Sequence, residues 1–100
     1  MGWYTKNYNF NANTTQLREI ERTLLNGKQI VKTFSDIGFG GIGRTHLINF
    51  DESHYIIRLV KESSFTNCNI EVAVISEDEL RKISAGIEDT LSNKLVSCIR

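Results

Sequence analysis

Along this chain, apolar residues recur with two different periods, and the alternation between them predicts the elements. Residues 3–10, WYTKNYNF, carry four aromatics at strand-like density and predict a short strand at a sheet edge. The next segment, NANTTQLREIERTLLNG, switches to helical spacing, with Leu17, Ile20, Leu24 and Leu25 on one stripe. Asn13 is placed to cap that helix, with Gln16 three residues on as its capping-box partner, and Gly27 supplies a left-handed stop.

Three or four strands are expected next. QIVKTF is rich in β-branched residues, a glycine-rich loop follows it, and RTHLINF and HYIIRLV flank the turn residues Asp51, Glu52 and Ser53. A hairpin closing there would pair Phe50 with Tyr55, Ile48 with Ile57 and His46 with Leu59. Those six residues share one face, apolar except for His46, and that face is expected to meet the helices. The opposite face holds Thr45, Leu47, Asn49, Ile56, Arg58 and Val60, and a one-residue slip would exchange the two sets.

ESSFTNCN reads as a polar loop and IEVAVI as a buried strand. A second helix starts at Ser76, with Glu79 completing a capping box and Glu77, Asp78 and Glu79 at the positive end of the helix dipole. Leu80, Ile83, Ile87, Leu91 and Leu95 run at helical spacing. Gly86 interrupts them at a cost of about 1 kcal/mol relative to alanine, enough to kink or stop the helix. Residues 95–99, LVSCI, suit either a continued helix or a final strand. The expected architecture is a single α+β domain over residues 1–100. It has a small antiparallel sheet in the order β-α-β-β-β-α, with helices packed on one face.

Composition narrows the classes. With 40% apolar and 24% charged residues the chain is an ordinary globular sequence, and no apolar run approaches the roughly 18 residues that cross a bilayer. MGWYTKNYNF is too polar for a secretory signal, and Lys6 stands where a myristoylation motif needs Ser or Thr. The expected setting is cytoplasmic, with Cys68 and Cys98 as reduced thiols and the Asn13-Thr14-Thr15 sequon serving as a helix cap. Net charge is zero but uneven, +3 over residues 1–50 and −3 over 51–100. No basic cluster of the kind nucleic-acid binding requires is present.

The candidate chemistry centres on Gly38-Phe39-Gly40-Gly41-Ile42-Gly43. It fits the dinucleotide pattern GxGxxG, and Gly38 to Thr45 spells GxxxxGRT, one residue from a Walker A loop. Both motifs open a helix, whereas RTHLINF reads as a strand. Residues 34–61 resemble the first three strands of a protein-kinase N-lobe, where a glycine-rich hairpin covers nucleotide phosphates. That resemblance implies Thr45 at the loop-flanking valine and Arg58 at the strand lysine. The chain departs at both side chains and has no HRD or DFG motif, so phosphotransfer is not expected of it. The α-β-β-β-α portion resembles double-stranded RNA-binding domains in element order alone, since Glu77-Asp78-Glu79 replaces the basic helix start that binds phosphate in that family.

The glycines more simply make a wide hairpin turn presenting Phe39 and Ile42. His46 and His54 are expected at opposite ends of their hairpin and share no metal. No catalytic set stands out, so the chain is not expected to be an enzyme, and no cofactor or metal is expected. The expected function is a small protein-binding module that inhibits a larger enzyme or complex, of the antitoxin, immunity or phage anti-defence type. Its contacts would be Phe39, Ile42 and Arg44, with Trp3 and Tyr4 behind them. The expected partner is another protein; a homodimer is a further option, nucleic acid is disfavoured, and no membrane is expected. The competing expectation is a nucleotide- or anion-binding domain using Gly38, Gly40, Gly41, Gly43, Arg44 and Arg58.

Overall fold

The chain begins on one edge of a sheet, is carried to the other edge by a helix, and returns strand by strand to where it began. In the computed structural model, residues 3–38, 41–50, 53–62 and 66–94 are described, with backbone alone at 36–38, 41 and 50. The elements are β1 (Tyr4–Asn11), α1 (Thr14–Leu25), β2 (Gln29–Gly38), β3 (Gly41–Phe50), β4 (Ser53–Glu62), β5 (Asn67–Val74) and α2 (Glu77–Lys94). They form one five-stranded sheet in the order β1-β5-β4-β3-β2, antiparallel at every step. The α+β class with helices on one face is as expected. Four strands separate the helices, one more than in the order β-α-β-β-β-α, because QIVKTF, RTHLINF, HYIIRLV and IEVAVI all pair. The dsRNA-binding element order is therefore not reproduced.

Local chemistry starts the helices where the pattern placed them. Asn13 accepts from the Gln16 backbone N–H at 2.8 Å, and the Gln16 side chain accepts from the Asn13 N–H at 2.9 Å, closing both halves of the capping box. Gly27, just past the end of α1, has φ +73°, a conformation in which a side chain would be strained. At α2, Ser76 accepts from the Glu79 N–H at 3.2 Å. The helix runs unbroken through Gly86 to Lys94. Burial of Ile87, with Leu80, Ile83 and Leu91 packed beside it, outweighs the glycine's preference to stop. Leu95 and the segment LVSCI lie outside the described residues.

The strand faces follow the expected parity, but the β3–β4 register is two residues tighter. Phe50 pairs with Ser53, Ile48 with Tyr55, His46 with Ile57 and Arg44 with Leu59. A slip of two keeps every residue on its face, so Ile48, Tyr55, Ile57, Leu59 and His46 all lie buried under the helices. Two cross-strand rows, Thr33–His46–Ile57–Val72–Lys6 and Ser35–Arg44–Leu59–Ile70–Tyr8, run across the helix-covered face, apolar in the middle and polar at both edges. Core residues Ile20, Ile70, Val72, Val74 and Ile87 fill the layer between sheet and helices. α2 lies over β1 and β5, where Glu88 accepts from Lys6 and Tyr8, while α1 is bonded to β3.

Candidate functional site

Two polar residues occupy core positions and find each other. Glu21 falls inside the apolar arc of α1, between Ile20 and Leu24, and is 7% exposed; His46 stands on the apolar face of β3 and is 3% exposed. A buried carboxylate without partners would be costly. Here Glu21 Oε2 lies 2.8 Å from His46 Nε2, and Glu21 Oε1 accepts from Arg44 Nη1 at 3.0 Å. The other ring nitrogen of His46, Nδ1, lies 2.8 Å from the hydroxyl of Thr33, its direct cross-strand neighbour on β2. With a neutral ring, Thr33 donates to Nδ1 and Nε2–H donates to Glu21, so both ring nitrogens and both carboxylate oxygens have partners.

The relay ends on an arginine at the mouth of a cleft. The cleft holds about 130 Å³ between α1 and the β2–β3 hairpin. Leu17, Ile42 and Leu59 give it apolar walls; Arg18, Ser35 and Arg44 give it polar ones. The Arg44 side chain is 42% exposed, so Glu21 holds one side of the guanidinium while the other faces solvent. A guanidinium fixed in this way loses less freedom on binding than a loose one, and its remaining donors suit a carboxylate or carbonyl group.

The relay has the hydroxyl–imidazole–carboxylate order of a hydrolytic triad. Thr33, however, does not line the cleft, so the relay presents no hydroxyl there. At the cleft, the relay holds Arg44 through Glu21.

The structure brings Ile42, Gly43 and Arg44 together at the cleft. Phe39 and Gly40 lie outside the described residues. Trp3 and Tyr4 are exposed at the far end of the sheet, on the β1 side, three strands from β3. At the usual strand spacing that separation is about 15 Å across the sheet alone, so they form no common surface with Arg44. Gly38, Gly41 and Gly43 lie in paired strands rather than in a wide loop. Gly38 pairs with Gly41, and Gly43 sits between Asp36 and Val60, so strand pairing continues through Gly38 and Gly41. The amides of Gly41 and Gly43, on a strand paired on both sides, therefore belong to the ladders. Arg58 stands on the open face of the sheet, opposite Thr45 and Glu71, whereas Arg44 stands on the helix-covered face. Thr45 and Arg58 are direct partners, as the kinase-like hairpin wants, but Arg44 does not join them. Among the described residues no cluster of His, Cys, Asp or Glu is arranged to hold a metal, and no helix is long and apolar enough to cross a membrane.

Sequence reasoning missed Glu21, Thr33, Arg18 and Leu17 as parts of this site. The available signal was the pair of misfits, an acid within the helical stripe and a histidine within an apolar strand face. Comparison with protein-family models, curated proteins and solved structures finds no match to this chain.

Proposed function

We propose that the chain is a protein-binding module that inhibits a larger enzyme or complex, of the antitoxin, immunity or phage anti-defence type, and that it docks through the α1–β2–β3 cleft. The observation that carries this reading is the half-exposed Arg44, held by a buried relay beside the apolar walls of Leu17, Ile42 and Leu59. A pinned arginine next to an apolar slot is the usual anatomy of an interface anchor. The partner inserts an apolar side chain into the slot and offers a carboxylate or carbonyl to Arg44 and Arg18. Binding rather than catalysis is supported by the position of Thr33, the hydroxyl of the relay, which does not line the cleft. A reducing, cytoplasmic setting agrees with the free thiol of Cys68.

Affinity capture from lysate of the source organism tests this. The tagged wild type is run beside Arg44→Ala and Arg81→Ala; Arg81 is an exposed residue of α2 outside the cleft. A near-stoichiometric protein kept by Arg81→Ala and lost by Arg44→Ala is the expected result. Capture indifferent to Arg44→Ala would refute the cleft. A saturable stabilisation by magnesium–ATP that Arg44→Ala removes would favour the anion-binding reading instead.

A further inference from the structure

β2 closes the sheet order, and no described strand pairs with its outer side. It is ten residues long and contains no proline. Ile30, Val31 and Phe34 on it are 42%, 50% and 51% exposed. Monomeric proteins blunt such an edge with charges, bulges or a covering element. Here the register shift between Ile30 and Lys32 disturbs only the start of the strand, leaving 32–38 in regular pairing with β3.

The sequence of that regular stretch, Lys32-Thr33-Phe34-Ser35-Asp36, is complementary to itself when reversed. Antiparallel pairing of two identical strands about a two-fold axis must place one residue opposite its own copy. Centred on Lys32 or on Asp36, like charges would meet, which is destabilising. Centred on Phe34, position 32 falls opposite position 36 twice, lysine against aspartate. Thr33 then meets Ser35, and the two phenylalanines meet on the axis. No other centre along the strand pairs Lys32 with an acid.

We propose that two copies of this chain associate through β2, antiparallel about Phe34, joining their sheets into one continuous sheet with all four helices on the same face. The geometry leaves room for it. Thr33 and Ser35, the helix-side residues of β2, are exposed, so the helices stop short of this edge. On the open face, the Lys32 ammonium lies 5.1 Å from the Phe34 ring centroid, already placed beside the axis. The cleft with Arg44 is on the helix side with only its Ser35 wall on β2, and the seam is argued from β2 alone. This inference is therefore independent of the proposed docking function.

A symmetric disulfide tests the register. Residues directly opposite in an antiparallel pair have Cα atoms about 4.5–5.5 Å apart, within the roughly 4.4–6.8 Å range of disulfides. Phe34→Cys, made in a Cys98→Ser background, is expected to form a covalent dimer under mild oxidation, while Arg81→Cys in the same background is not. Sedimentation equilibrium on disulfide-free chains supplies the second reading. Lys32→Glu and Asp36→Lys are each expected to weaken association at least tenfold, and the two together to restore it. A wild type that stays monomeric over about a hundredfold concentration range overturns the proposal and leaves the edge to a strand from another protein. So does the absence of a Phe34→Cys cross-link, or a dimer that neither charge reversal disturbs.

Discussion

Replacing Glu21 with alanine tests the relay where it is most exposed to failure. The substitution removes the acceptor for His46 Nε2 in a region where the ring is only 3% exposed. A buried donor left without a partner costs about 1–3 kcal/mol. The Arg44 contact adds at most about 1 kcal/mol, since that side chain is half in solvent and screened. Together the loss is about 1–4 kcal/mol, which for a domain of this size lowers Tm by on the order of 5–30 °C. Glu21→Gln keeps one carbonyl acceptor and should cost about half as much. The assay is urea and thermal unfolding of Glu21→Ala, His46→Leu and the double variant. Because the two groups satisfy each other, the double variant should be less destabilised than the sum of the singles, by roughly 0.5–3 kcal/mol. Additive effects, or a Glu21→Ala loss below about 0.5 kcal/mol, would refute the relay as the element that holds Arg44.

Three further outcomes are expected from the same geometry. Gly86→Ala should raise stability by about 0.5–1 kcal/mol with an unchanged urea m-value, because Gly86 is helical, its φ is not left-handed, and an added Cβ meets nothing within 4 Å. Hydrogen bonds from Lys6 and Tyr8 hold the Glu88 carboxyl below its ordinary value. Its contribution is thus present above the unfolded-state value and lost as pH falls through the depressed one, so Glu88→Gln should be less stable than wild type at neutral pH and converge with it in acid. Burial pushes the Cys68 thiol above its ordinary value, which keeps it protonated and shielded. Peptide-resolved alkylation at pH 8 should label Cys68 slowly in the native protein and rapidly once it is unfolded.

Much of the fold was legible because it rests on local rules. Both bonds of the Asn13–Gln16 box, the Gly27 stop and the parity of the strand faces are short-range consequences of residue type. Register was less so. The β3–β4 register pairs Phe50 with Ser53, and an error of two leaves the hydrophobic pattern unchanged, so the pattern could not detect it. Gly86 misled because propensity ignores the packing of Ile83, Ile87 and Leu91 against the core. The glycine hairpin misled for a related reason: glycine permits a loop but does not demand one, and the ladder continues through Gly41 and Gly43. The relay was hidden by distance along the chain, since Glu21 and His46 are 25 residues apart and meet only once α1 lies on the sheet. Arg44 was legible as a residue, but not the carboxylate that positions it.

The most direct test of the central claim is the affinity of the captured partner for wild type, Arg44→Ala and Arg44→Lys, measured by titration calorimetry. A pinned guanidinium acting as an interface anchor predicts a loss of about 1.5–3 kcal/mol for Arg44→Ala, a roughly tenfold to hundredfold weaker Kd. Lysine should recover only part of it, because an ammonium cannot bond Glu21 and the partner with the same fork. Equal affinity in all three proteins would contradict the account and move the docking surface away from the cleft.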